Sequence, residues 1–349
     1  MKMNENDNLS INKSDKKSLK VNFLFDISTD SFSIYDIDNS FLIFISLKDI
    51  TYLLYPTKNS IILYNLNKQQ VQNELKNSNE DLICCLRHCA FSNRDIIMTV
   101  SYNNKIKLWD IVSWENILTL NNINNKNSLY SACFLNYTNH IYIVSSNGNF
   151  DIIDMEEKVE RIKIFDFNGI KVKEINDSQY NTFNIDTYFD KSKSKCYIIT
   201  GNSNCINSYD YENNSLYHNY ASDSSHGQHV SFIIYEKENL TIMIESCNND
   251  KFIRIWDFHT GFFINKINTF EEGNLSISLF NESYIFVGCK SGVIKCINLK
   301  TEEIIDNLFG QESRVNTIKI LFHPIYGNCL ISQGWLSDSI KLWAIKTGL

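Results

Sequence analysis

The densest group of potentially reactive side chains is a short run that holds Cys84, Cys85, His88 and Cys89. Thiolates and imidazoles are the ligands that zinc prefers, so this run raises the question of a metal site. Structural zinc sites space their ligand pairs by two to four residues and need a second pair elsewhere in the chain. This run instead overlaps an apolar segment leading to Ala90–Ser92, in which alternate side chains face opposite sides of a strand. The sequence therefore favours a buried strand here, and it predicts neither a metal nor another cofactor.

The other histidines give no support for catalysis. A carboxylate or Cys partner at a motif spacing is lacking for His140, His218, His229, His259 and His323. The sequence also lacks a Gly-rich phosphate loop, a nucleophile elbow and a zinc-binding helix motif. The residues therefore predict a protein that is not an enzyme.

Charge and hydropathy restrict the partners and the compartment. The 349 residues carry a net charge of -7. This charge is unfavourable for direct binding of nucleic acid or of an acidic membrane. No window is apolar enough for a membrane helix, and Met1–Lys20 lacks the apolar stretch of a signal peptide. We therefore expect a cytoplasmic or nuclear protein with no membrane contact, in which the ten Cys residues are reduced and mostly buried.

The arrangement of apolar residues predicts an all-β chain. Residues 1–20 are polar and aperiodic, which is typical of a disordered tail. From Val21 onward, short apolar runs alternate with Asn, Ser, Asp, Gly and Lys, which is the pattern of strands and turns. Residues 21–349 are therefore predicted to form a single all-β domain.

Internal repeats predict the architecture of that domain. The clearest copies are SYNNKIKLWD at Ser101–Asp110, SCNNDKFIRIWD at Ser246–Asp257 and DSIKLWA at Asp338–Ala344. Each is a turn followed by a strand that contains Trp109, Trp256 or Trp343. These segments resemble the WD-repeat family. Weaker copies are Asn59–Asn65, Asn147–Asp154, Asn204–Asp210 and Ser291–Asn298.

The spacing of these copies is that of four-stranded blades. The predicted third strands end near Asn65, Asp110, Asp154, Asp210, Asp257, Asn298 and Ala344. Most intervals lie near the period of about 40–45 residues found in WD blades. The resemblance therefore implies a seven-bladed WD-repeat β-propeller. Its ring is closed by an N-terminal strand, for which Val21–Phe25 is the first candidate and Phe32–Asp36 the second.

The resemblance also implies a hydrogen-bonded structural tetrad within a blade. The matching residues in blade five are His226, Ser246, Asp250 and Trp256. In blade seven Gln311 replaces the His, and in blade two Asn103 replaces the Asp, so these blades are expected to depend on packing. The role of the tetrad would be structural, because it satisfies buried polar groups.

Propellers of this family often bind partners at the turns between the second and third strands. The residues at or beside these turns are Tyr102, Asn103, Asn147, Asn202, Asn249, Lys290, Trp335 and Leu336. Trp335 and Leu336 replace small polar residues, and an exposed Trp is enriched among binding hot spots. The alternative is that Trp335 closes the mouth of the ring or packs on a neighbouring turn.

Two long connections are further candidates for partner binding. They are predicted at residues 171–195 and 211–225, where Tyr and Phe stand among polar residues. Either segment is a docking loop or an insertion without a function, because surface loops tolerate insertions at small cost.

The predicted function is that of a non-catalytic scaffold or adaptor within a multiprotein complex, formed by a monomeric propeller that binds other proteins. The main alternative is a propeller that binds a small molecule in its central channel. That function would need converging polar or charged side chains on the innermost strands, which read as mostly aliphatic, Ser and Thr. Another alternative is an assembly factor of an RNA–protein complex that acts through protein contacts.

Overall fold

A computed structural model shows seven antiparallel four-stranded sheets arranged as a seven-bladed β-propeller. The strands are short because each apolar run is bounded by turn-forming residues. The structure describes residues 19–29, 42–47, 50–76, 78–91, 94–121, 129–145, 161–176, 182–221, 229–271, 273–309, 311–335, 337 and 339–347. Residues 1–18 of the predicted tail, the second closing candidate at Phe32–Asp36 and the weak repeat at Asn147–Asp154 lie outside these residues. The prediction of a disordered tail is wrong for its last two residues, Leu19 and Lys20, which belong to a strand paired with the end of the chain.

The strands follow one another in chain order, and each blade except the last uses four consecutive strands. The N-terminal strand is β1 (Leu19–Ser28). Blade one contains β2 (Ile43–Leu47), β3 (Ile50–Pro56), β4 (Ile61–Asn65) and β5 (Gln70–Leu75). Blade two contains β6 (Ile83–Phe91), β7 (Arg94–Ser101), β8 (Lys105–Asp110) and β9 (Asn116–Leu120). Blade three contains β10 (Ala132–Tyr137), β11 (His140–Ser145), β12 (Arg161–Phe165) and β13 (Lys171–Asn176).

The remaining blades repeat the pattern. Blade four contains β14 (Thr182–Asp190), β15 (Lys195–Asn202), β16 (Ile206–Asp210) and β17 (Ser215–Tyr220). Blade five contains β18 (His229–Lys237), β19 (Leu240–Cys247), β20 (Phe252–Asp257) and β21 (Phe263–Asn268). Blade six contains β22 (Asn274–Phe280), β23 (Tyr284–Cys289), β24 (Ile294–Asn298) and β25 (Glu303–Leu308). Blade seven contains β26 (Val315–His323), β27 (Gly327–Gly334), β28 (Ser339–Thr347) and, as its outer strand, β1.

The N-terminal strand closes the ring, as the sequence predicts. β1 pairs antiparallel with β28, with Leu19 opposite Thr347 and Ser28 opposite Ser339. The first candidate, Val21–Phe25, lies inside this strand. Closure is favourable because blade seven would otherwise present an unpaired sheet edge.

One packing position recurs in every blade. The position lies on the third strand of the blade. In blades one to six it is the residue directly after a shift in register between the third and fourth strands, and in blade seven it is Trp343, which lies opposite the corresponding shift in β1. We call it the aromatic position, because six of its seven occupants are aromatic. The occupants are Tyr64, Trp109, Phe165, Tyr209, Trp256, Ile297 and Trp343. All seven are buried, so the third strand is anchored at the same depth in each blade.

The third strand of blade three is not where the sequence places it. The repeat template fits Asn147–Asp154, but β12 pairs with β11 and ends at Phe165. The template fails because Arg161–Phe165 alternates apolar and polar residues equally well, and a strand pattern without a Trp cannot be told apart from its neighbours.

The corrected register changes the two predicted connections. Residues 171–195 contain β13 and β14, which are the outer strand of blade three and the inner strand of blade four. Residues 211–225 contain β17, the outer strand of blade four. The interpretation of these segments as long docking loops is therefore wrong.

Apolar packing holds neighbouring blades together. Each of seven buried clusters lies at one junction between two sheets. At the closing junction Leu53 and Tyr55 of blade one pack with Ile331 and Leu342 of blade seven, together with Ile27 of β1. Because each sheet is covered on both faces, its strands are more apolar than those of a one-sided sheet.

A buried imidazole makes the stability of blade seven depend on pH. His323 is fully buried, and its Nδ1 accepts the backbone N–H groups of Ile325 at 3.1 Å and Tyr326 at 3.4 Å. Burial lowers the pKa of His323 below its ordinary value of 6.5. The stability that neutral His323 contributes is therefore fully present above pH 6.5 and is lost as the pH falls through 6.5 towards the lowered value.

We expect the free energy of unfolding to decrease between pH 7 and pH 5.5, with a contribution from His323 of at most about 1.4 kcal/mol per pH unit. His323→Asn keeps an acceptor for the two N–H groups but does not titrate. Urea unfolding at several pH values should therefore show a shallower dependence in this variant. Burial also lowers the pKa of His259, so the slope should shrink without vanishing. An unchanged slope would contradict the prediction.

Candidate functional site

Two faces of the ring differ in their connections. The upper face carries the turns between second and third strands and the connections between blades, and the lower face carries the other turns. Of the partner-binding residues predicted for the upper face, Asn249 and Lys290 are exposed, and Tyr102 and Asn103 are half-buried. Asn202 is completely buried, so it cannot contact a partner. Asn147 and Leu336 lie outside the described residues.

Trp335 is half-buried and engaged within its own blade. The guanidinium of Arg314 lies over its ring at 4.1 Å from the centroid. The Trp335 backbone N–H donates to the Arg314 carbonyl at 2.8 Å, and Ser313 Oγ donates to the Trp335 carbonyl. The alternative prediction, in which Trp335 packs on a neighbouring turn, therefore describes its surroundings better than a free hot spot does.

The residue that faces the aromatic position comes from the second strand, and in six of the seven blades it carries a hydroxyl or carboxyl group. The aromatic position pairs with one residue of the second strand, and the facing residue stands two positions further along that strand. In the seven blades this facing position is occupied by Tyr55, Thr99, Ser145, Thr200, Glu245, Val287 and Ser332. Blade five therefore has Glu245 where the repeat pattern predicts Ser246. Ser246 is one residue away, and its Oγ donates to the Ser231 carbonyl at 3.4 Å.

The predicted tetrad of blade five is accordingly not assembled among the described residues. Trp256 Nε1 is buried and has no hydrogen-bond acceptor within the described part of the chain. Asp250 instead accepts the Phe252 N–H at 3.3 Å and a hydrogen bond from Arg254 Nη2. His226 lies outside the described residues.

A buried ion cluster occupies the corresponding place in blade five. Glu245 and Arg254 are both almost completely buried, and Arg254 Nη1 lies 3.6 Å from Glu245 Oε1. Arg254 also pairs with Asp250 across the turn. Two carboxylates therefore converge on one guanidinium in this blade.

Blades two and seven keep the hydrogen bonds that blade five has lost. Trp343 Nε1 donates to Ser332 Oγ at 2.9 Å, and Gln311 Nε2 donates to the same oxygen at 2.8 Å. Trp109 Nε1 donates to Thr99 Oγ1 at 3.2 Å. The expectation that these blades depend on packing alone is wrong, because a Gln amide performs the donation expected of a His.

The innermost strands carry more charge than the sequence predicts. Arg87, Asp186 and Lys319 occupy equivalent register positions on the inner strands of blades two, four and seven. Arg87 donates through Nε to the Ala132 carbonyl at 3.2 Å and through Nη2 to the Ile185 carbonyl at 3.0 Å. Its guanidinium therefore ties three consecutive inner strands together.

The most exposed apolar run among the described residues lies on the rim of blade five. Phe262 is 73% exposed, and Phe263 and Ile264 that follow are each about half exposed at 47%. The run leads into the outer strand β21, whose outer edge is unpaired among the described strands. Contiguous apolar side chains on a rigid edge are typical of protein interaction sites. In the sequence this run looks like the start of an ordinary strand, so its exposure could not be predicted.

No protein-family model and no curated protein matches this sequence. In the described part of the chain, no helix is long and apolar enough to cross a membrane. Among the same residues, no three His, Cys, Asp or Glu side chains are grouped so that they could hold a metal ion.

Proposed function

We propose that this chain is a non-catalytic scaffold or adaptor subunit that holds other proteins together in a cytoplasmic or nuclear complex. The observation that carries the proposal is the exposed run Phe262–Ile264 on the rim of blade five. Burying such a run against a partner is favourable by about 25 cal/mol per Å² of apolar surface. A propeller suits this function because its blades hold the run in a fixed geometry.

We also propose that the chain is a divergent member of the WD-repeat family. Two of its blades support this assignment, since Trp109 donates to Thr99 and Trp343 donates to Ser332 at equivalent positions. In blade seven the network also includes Gln311. The ion cluster of blade five is the clearest departure.

Affinity purification of the full chain with quantitative mass spectrometry tests the scaffold function. We expect at least one partner at near-stoichiometric amount, reduced at least tenfold by the combined change Phe262→Ser and Ile264→Ser. Val172→Ser is the matched control, because Val172 is 48% exposed on the outer strand of blade three. The absence of any stoichiometric partner would reject the proposal. Equal loss in the control would reject the assignment to blade five.

A further inference from the structure

A second surface feature is a groove between blades one and two on the lower face. Its volume is about 540 Å³, within the range of about 300–1,000 Å³ typical of ligand pockets. All four strands of blade one contribute to it, from Leu47 on the inner side to Gln72 on the outer side. Blade two contributes Asp95 and the turn that contains Ile111 and Trp114.

The backbone at Trp114 is unusual for a bulky residue. Trp114 lies in the turn between β8 and β9 with φ of 59°, in the left-handed region. The equivalent residue in four other blades is Gln69, Asn214, Gly261 or Glu302, each also with positive φ. The turn therefore requires this conformation but does not require Trp. A left-handed L-residue costs roughly 1–2 kcal/mol, and bulky residues rarely adopt it.

Contacts of the Trp114 side chain offset this cost of the backbone conformation. One part of it packs on the buried cluster that joins blades one and two, and another part lines the groove. Strained positions of this kind concentrate at functional sites. Val112, which also lines the groove, is 70% exposed in the same turn. The wall from blade two is therefore largely apolar and accessible.

The charge of the groove selects the chemistry of its occupant. Asp95 is the one charged residue among those that line it. Its carboxylate is 28% exposed, and its Oδ1 lies 2.9 Å from His88 Nε2. The carboxylate lies at the edge of a pocket that also presents the rings of Tyr52 and Trp114. Carboxylates and aromatic faces together favour a guanidinium or an ammonium group.

The length of the groove matches a short extended peptide. Four neighbouring strands are separated by three intervals of about 4.8 Å, so the groove is about 14 Å long. At about 3.3 Å per residue it accommodates about four residues in extended conformation. Lys and Arg suit the mixed lining, because their aliphatic stems pack on apolar walls while the charged end reaches a carboxylate.

We propose that this groove binds an extended segment of a partner protein, about four residues long, with one Arg or Lys between apolar side chains. Asp95 pairs with the basic group, and Trp114 and Tyr52 contact its stem. The proposal rests on the scaffold function and adds to it the chemistry of one partner. It concerns a different surface from the rim of blade five.

Selection from a phage-displayed library of random seven-residue peptides on the full chain tests the proposal even while the partner is unidentified. We expect the enriched peptides to contain Arg or Lys flanked by apolar residues. Isothermal titration calorimetry with the synthesised peptides should show affinity at least tenfold weaker for Asp95→Asn, which keeps a side-chain partner for His88. Trp114→Gly should weaken binding similarly, because it removes the side chain that lines the groove. Gly suits the positive φ of this turn, so the backbone should keep its conformation.

Matched controls separate the groove from general electrostatics. Glu303→Gln removes a charge from the exposed start of β25 in blade six and should change the affinity less than twofold. Replacing the peptide Arg with neutral citrulline should weaken binding to the unaltered protein as much as Asp95→Asn does. The proposal is overturned if no peptide is enriched, if enriched peptides lack a basic residue, or if Asp95→Asn and Trp114→Gly bind them unchanged. A partner that is still captured through blade five in that case leaves the scaffold function intact.

Discussion

A chain that begins at Thr29 is expected to lose its folded monomeric state. The deletion removes β1, so β28 becomes an unpaired edge on the outer side of blade seven. Val21 and Ile27 no longer pack on the clusters on either side of blade seven. Ile27, which is almost completely buried, alone contributes about 1.5–3 kcal/mol, against a total stability of about 5–15 kcal/mol.

Size-exclusion chromatography and thermal denaturation measure this effect. We expect the truncated chain to elute as aggregate and to show no cooperative unfolding transition. A chain that begins at Leu19 is the matched control, because it keeps β1 whole and should melt as the full chain does. Adding a synthetic peptide of residues 19–28 should restore the monomer. A truncated chain that stays monomeric with an unchanged melting temperature would show that β1 does not hold the ring closed.

Arg254→Met is expected to cost about 3–5 kcal/mol, because it leaves Glu245 buried without its cation. The equivalent pair in blade two is Thr99 with Lys107, which face each other in the same register. The combined change Glu245→Thr and Arg254→Lys reproduces that pair and should recover most of the lost stability. It would also supply an acceptor for Trp256 Nε1, as Thr99 does for Trp109.

Urea unfolding followed by circular dichroism measures both variants. Lys107→Met is the control, because the ammonium of Lys107 is half-buried and donates to the Ser78 carbonyl at 3.0 Å. Its cost should stay near 1 kcal/mol, in the range of a single hydrogen bond. If Arg254→Met were no more costly than this control, the ion cluster would not support blade five.

The internal repeats, together with the WD-repeat family that they resemble, were sufficient to predict most of the fold. Trp109, Trp256 and Trp343 each follow an apolar alternation and precede Asp or Ala, and each lies in the third strand of its blade. The spacing between them then limits where the other blades can lie. The third strand of blade three was misplaced because its aromatic position holds Phe165, and no neighbouring residue distinguishes this strand from others.

The candidate sites were harder to predict for a physical reason. Successive residues of a strand point to opposite faces, so an error of one residue exchanges Glu245 for Ser246 and reverses the environment of the side chain. In the sequence the hydroxyl group of Ser246 made it the better match to the tetrad. Only the pairing of Met243 with Trp256 shows that Glu245, and not Ser246, lies on the same face as Trp256. The groove was invisible for a similar reason, because Asp95 and Tyr52 belong to different blades and meet only across a junction.

The pairing of β1 with β28 also sets the order of events during biosynthesis. Ribosomes add about 5–20 residues per second, so the roughly 300 residues between the two strands take about 15–60 seconds to emerge. Throughout that interval β1 has no hydrogen-bonding partner, and the apolar face of blade one that later meets blade seven is uncovered. Contacts between such distant parts of a chain form slowly. We therefore expect the fold to become resistant to proteolysis only when its two ends have met.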